Sequence, residues 1–119
     1  MTYVVSVFYN DEKDEHGRHV AWMDGYQKDH HVSFVASFEV EAEDTHHAAE
    51  VAWRQMNRVD GTEYISTKNL EVRSMCVGDV VVVSEAGGSE PTWMAAASFG
   101  FDDIEAPEKM QVPIKKVEV

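Results

Sequence analysis

The stretch HVSFVASFEVEAED, from His31 to Asp44, constrains the fold more than any other. Val32, Phe34, Ala36, Phe38, Val40 and Ala42 alternate strictly with Ser33, Val35, Ser37, Glu39, Glu41 and Glu43. Neighbouring side chains of a strand point to opposite faces. This order therefore predicts a long strand with an apolar face on a core and a polar face in water. Such a strand belongs in a sheet with a packing layer over its apolar face.

The rest of the chain supplies both. Thr2 to Tyr9, TYVVSVFY, is rich in β-branched and aromatic residues and predicts a strand. NDEKDEHGRH follows as an exposed loop, and VAWMDGYQKDHH is ambiguous, with a turn at Asp24-Gly25 and with Trp22 and Tyr26 placed to cover a core edge. DTHHAAEVAWRQMNRVDG predicts a helix, capped by Asp44 or Thr45 and stopped by Gly61. Ala49, Ala52, Trp53 and Met56 fall at i, i+3, i+4 and i+7 as its buried stripe, with Glu50 and Arg54 paired on a solvated face.

TEYISTKN reads as a short strand or an irregular linker. Val80 to Val83 are apolar on both faces and predict a central strand. EAGGSEP is a hairpin loop, and TWMAAASFGF is the returning strand, with Trp93, Ala95, Ala97 and Phe99 on one face. From Ala106 on, the chain reads as a surface segment with an edge strand at QVPIKKVEV. The expected fold is α+β: a mainly antiparallel sheet with one principal helix on one face. One domain over 1–119 is expected, with a strand-strand-helix half at 1–60, a second half at 61–106 and a tail at 107–119.

Composition narrows the function classes. No apolar run approaches the roughly 20 residues a membrane helix requires. The first residues lack the basic and small-residue features of a signal peptide, so a cytoplasmic protein is expected. Cys76 is the single cysteine, which excludes an intrachain disulfide and a Cys-rich zinc site. Against 22 Asp and Glu stand 10 Lys and Arg, a formal charge of −12. A chain so acidic is repelled by phosphates and anionic lipid, so direct nucleic-acid or membrane binding is not expected. The acidity reads either as solubilising or as a surface for a basic partner.

RSMCVGDVVVV, Arg73 to Val83, places a Gly-Asp turn before the valine strand. Gly78 allows a positive φ, and Asp79 can bond nearby amides. Arg73, Ser74, Met75, Val77, Gly78, Asp79 and Val80, followed by Trp93, Ser98, Phe99, Gly100 and Phe101, resemble the YodL-like module of phages, plasmids and integrative elements. The same residues resemble small proteins of actinobacteria and their phages. Cys76 stands where that pattern has Ser, and AWRQMNR, with Asn57 near its end, looks like the helix preceding the module. The resemblance covers about the second half of the chain. It implies a mobile-element origin and brings no activity with it.

Candidate chemistry is sparse. His16 and His19 at i, i+3, with His30 or His31, could make a metal site, but adjacent His pairs such as His46-His47 diverge on a regular element. They read as solvated residues, and no metal or cofactor is expected. Cys76 has no histidine beside it in sequence to act as base and reads as a small packed residue. Common catalytic motifs are absent, so no catalytic residue is assigned and a non-enzyme is expected. Glu39, Glu41 and Glu43 would stand about 6.5–7 Å apart along one strand face, a spacing like that of successive phosphates. They define a candidate nucleic-acid mimic, against the alternative of an ordinary solvated face.

The expectation is a small, acidic, non-enzymatic protein that binds and modulates a host protein with a basic surface. Glu39, Glu41, Glu43, Trp22, Trp93 and Phe101 are the expected contact residues. Arg73, Ser74, Gly78 and Asp79 form the motif turn. Self-association through the valine strand or the C-terminal segment stays open.

Overall fold

The computed structural model describes residues 1–57, 75–86, 88 and 90–111. The alternating segment forms β2, His31–Glu41, paired antiparallel with β1, Thr2–Asn10. On its other side β1 pairs antiparallel with β3, Val80–Glu85. β2 and β3 therefore run in the same direction on either side of β1. The helix α2, Thr45–Met56, lies in the connection between them. β4, Thr92–Ala96, and β5, Phe101–Ile104, extend the sheet antiparallel beyond β3. β6, Lys109–Gln111, adds in parallel to the outer side of β2. The sheet order is β5-β4-β3-β1-β2-β6, with one short further helix, α1, Ala21–Asp24, between β1 and β2. This is an α+β architecture, mainly antiparallel with the principal helix on one face.

The helix packs where the strand pattern requires. Tyr3, Val5, Val7, Ala36, Phe38, Val40, Val81, Val83 and Met94 form a buried face beneath Ala48, Ala49, Ala52 and Met56. Asp44 caps the helix by accepting the His47 N–H at 2.8 Å, and the His47 Nδ1 accepts from the Glu43 N–H at 3.0 Å. The first bond satisfies a donor that the helix start leaves orphaned, and the second ties the residue before the cap to the same His47. Ala48 is fully buried, whereas Trp53 is only half-buried because its ring reaches past the helix to meet Phe101 edge-on at 6.1 Å. The predicted stripe is thus rotated slightly toward Ala48. Gly61, TEYISTKN and the residues after Gln111 lie outside the described residues.

Two predicted elements are corrected. The uninterrupted alternation of β2 is broken by a bulge. Val7 faces Ala36 while Phe8 faces Phe34, which leaves Val35 without an opposite residue. An extra residue reverses the facing of everything beyond it. Val35 packs on the helix side, and Val32 and Phe34 turn to the other face. There they join Phe8, Val80 and Ala95 in a second apolar cluster, with Phe8 packed against Phe34 at 5.8 Å and Trp93 at 5.7 Å. Tyr26 covers this cluster, so at this end the sheet is buried on both faces.

The second correction concerns TWMAAASFGF. The strand stops at Ala96, the Ala97 N–H bonds the Gly100 carbonyl at 2.9 Å, and Gly100 adopts φ +76. Phe99 sits at the tip of this turn, 95 % exposed, and Phe101 begins a separate strand. Of the edge strand expected at QVPIKKVEV, Gln111 lies in β6 and the remainder lies outside the described residues.

Candidate functional site

The turn from Met75 to Asp79 is held at every side. Asp79 is fully buried, and its carboxylate accepts the Asn10 N–H and the Cys76 N–H, each at 2.7 Å. Asn10, also buried, donates its side-chain amide to the Gly78 carbonyl at 3.1 Å and to His30 Nδ1 at 3.1 Å. The Gln27 N–H reaches the same Nδ1 at 3.2 Å. Both of those groups are donors only, which makes Nδ1 the acceptor and assigns the ring proton to Nε2. At the helix end, the Asn57 side chain brackets the Met75 backbone, accepting its N–H at 2.5 Å and donating to its carbonyl at 3.2 Å. Gly78 N–H and Asp79 carbonyl both pair with Ala96.

Glycine is required at 78. Its φ is +93, and an added Cβ would stand 2.3 Å from Ala21 Cβ. The turn from Met75 to Asp79 is therefore a clasp joining the end of α2, β1, β4 and α1. Buried polar groups survive only when their hydrogen bonds are made, and this network makes them. Arg73 and Ser74 lie outside the described residues. Asn10 and His30 were not legible as members, because nothing in sequence links a strand-end Asn to a turn 68 residues on.

Beside the clasp lies an open groove of about 310 Å³. Trp22, Asp24, Tyr26, Val77, Asp102 and Ile104 line it, over a floor of Ala95. Trp22 is 46 % exposed and stacks on His19 at 4.3 Å, nearly parallel. Burial first, then the Glu108 and Asp29 carboxylates, raises the Tyr26 hydroxyl above the ordinary phenolic value. It stays an O–H donor, buried without a hydrogen-bond partner among the described residues. Two aromatic rings and two carboxylates around an apolar floor suit a cation carried on an aliphatic stem. Asp24, Tyr26 and Asp102 are additions to the expected contact residues. Asp24 and Tyr26 come from the ambiguous segment, and Asp102 lies beyond the predicted strand.

The expected contact residues do not form one surface. Trp22 is on the face opposite α2, where Trp93 is half-buried against Phe8. Phe101 is on the helix face, against Trp53. Glu39 and Glu41 are exposed on β2, but Glu43 lies past the strand end, in the bend leading to α2. The row of three carboxylates is a row of two. Glu41 is bonded by the Thr2 hydroxyl and lies 3.5 Å from the Met1 ammonium. The Thr2 bond, with the ammonium beyond it, holds its carboxyl below the usual glutamate range.

The histidines are dispersed: His31 on Asp11, His46 on Asp103, His16 beside Glu15 and His30 in the clasp. Among the described residues no three His, Cys, Asp or Glu side chains come together as a metal-holding group. Cys76 is half-buried, and no helix among the described residues is long and apolar enough to cross a membrane. Comparison with protein-family models, curated proteins and solved structures finds no match.

Proposed function

We propose that this chain is a small, non-enzymatic interaction protein of phage or mobile-element origin. It acts in the host cytoplasm, where it binds and modulates a host protein through a basic surface of that partner. The observation that carries the reading is the groove, which gathers Trp22 and Tyr26 with Asp24 and Asp102 in a chain of net charge −12. Long-range attraction brings a basic partner in, and the rings hold a Lys or Arg stem after desolvation. The origin rests on the resemblance of the Arg73–Val80 stretch and of Trp93 to Phe101.

Affinity capture from host lysate, at low and at high salt, tests it with three baits: the intact protein, Trp22→Ala, and Asp24→Asn with Asp102→Asn. A basic partner held by the intact bait and lost from both variants is expected. A captured set indifferent to both variants overturns the groove as the binding surface. Partners restricted to nucleic-acid-binding proteins, released by salt and by Glu39→Gln with Glu41→Gln, would instead favour the mimic.

A further inference from the structure

Among the described residues, β5 is an edge of the sheet, and a groove opens on each of its faces. The helix-side groove, of about 280 Å³, is lined by Glu50, Trp53, Arg54 and Phe101. The opposite groove holds Trp22, Asp24, Asp102 and Ile104, and both grooves meet at Ala97 and Ser98. The strand register fixes this division. Phe101 and Asp103 pair with Ala96 and Met94 on the helix side, while Asp102 and Ile104 pair with Ala95 and Trp93 on the other.

Each face thus offers carboxylates beside an aromatic ring. On the helix side these are Glu50, and Asp103 with its oxygen 3.2 Å from His46 Nε2. On the other side they are Asp24 and Asp102. Among the described residues, Arg54 is the one Lys or Arg that lines either groove, four residues from Glu50 on the same helix.

Resting on the basic-partner reading, we infer that β5 takes up an extended, Lys- or Arg-rich segment of the partner as an added strand. The segment's backbone would bond the β5 edge while its alternate side chains enter the two grooves. Charge selects this occupant over a second copy of the chain. Pairing β5 with another β5 would bring Asp102 and Asp103 against like charges, which is unfavourable across a strand pair.

The test titrates the intact protein with a synthetic peptide alternating Lys and Thr, and with the same peptide N-methylated at every backbone nitrogen. Charge is equal, whereas the methylated peptide has lost its backbone donors and carries methyl groups along the edge that strand pairing would use. The parent should bind, with amide shifts concentrated at Phe101–Ile104, and the methylated peptide should bind at least about tenfold more weakly, since each lost hydrogen bond has a modest net worth. A second arm uses Asp102→Asn with Asp103→Asn, which should weaken the parent while the fold is retained. Equal affinity for the two peptides overturns strand addition and leaves the basic-partner reading standing. If neither peptide binds, strand addition is overturned, and loss of capture by the Trp22→Ala bait then decides the partner reading separately.

Discussion

Gly78→Ala is the sharpest test of the clasp, because the structure supplies both parts of its cost. The backbone at 78 has φ +93, where a side chain costs about 1–2 kcal/mol. The new Cβ would also lie 2.3 Å from Ala21 Cβ, far inside contact distance, with Ala21 Cα and the Ala21 carbonyl oxygen at 3.3 Å. Ala21 is itself buried, so relief requires moving α1 against the sheet, an overpacking cost of about 1–3 kcal/mol. The sum is about 2–5 kcal/mol, a large part of the roughly 5–15 kcal/mol that holds a domain of this size. At about 4 °C per kcal/mol, the melting temperature falls by about 8–20 °C.

The two parts separate in a double-mutant cycle. Ala21→Gly alone removes a buried methyl and loosens a four-residue helix, costing about 1–2 kcal/mol. Combined with Gly78→Ala, it removes the atom the new Cβ strikes. The double variant should then be more stable than the sum of the singles by about 1–3 kcal/mol. Thermal and urea unfolding, followed by circular dichroism, give all four corners. Additivity within about 0.5 kcal/mol would refute the close approach of α1 to the turn.

Other outcomes follow from the same contacts. Asp79→Ala strands the buried Asn10 N–H and the half-buried Cys76 N–H and should cost about 2–4 kcal/mol in urea unfolding, more than Asn57→Ala, which frees the Met75 backbone groups beside a half-buried side chain at about 1–2 kcal/mol. Glu41 should titrate, by NMR of its side-chain carboxyl, below its ordinary value of 4.5, and Thr2→Ala should raise it. Its folded value is the lowered one, so the contact's stabilisation is present above 4.5 and fades as pH falls through that lower value. Glu39→Gln with Glu41→Gln should leave the melting temperature within about 2 °C, since both side chains are exposed. A larger loss would show that the carboxylates stabilise the sheet.

The sheet was legible where one residue type answered one constraint. Four valines in a row require burial on both faces, and β3 lies inside the sheet between β4 and β1. Asp44 before an alanine-rich run becomes the helix cap that its chemistry favours. The bulge at Val35 was not legible, because alternation in sequence is the same for a regular strand and a bulged one. The end of β4 was hidden for a related reason: Ala97 and Ser98 fit a strand as well as a turn, and Gly100 alone marks the reversal. The site was less legible still. Trp22 was recognisable as an aromatic near a turn, but the groove exists only because Asp102 and Ile104 return beside it from the far end of the chain. The acidic row failed in the opposite sense. Three glutamates at strand spacing imply three in line only if the strand reaches the third, and β2 stops at Glu41.

The clasp and the groove are coupled through Val77. Val77 lines the groove, and its neighbours on both sides are fixed: Cys76 by the Asp79 carboxylate, Gly78 by Asn10 and Ala96. The wall is thereby held before any partner arrives, and a preorganised wall lowers the ordering cost of binding. Contact residues and clasp residues should therefore differ in how they fail. Trp22→Ala should weaken a basic peptide at unchanged stability of the clasp. Asn10→Ala should lower stability and, at a temperature where the variant stays folded, weaken the same peptide severalfold, because Val77 loses its fixed position without any contact atom being removed. Calorimetric titration of the folded variant reads this directly. Full affinity in folded Asn10→Ala would show that the Gly-Asp turn serves only as the entrance to β3, with the groove standing independently of it.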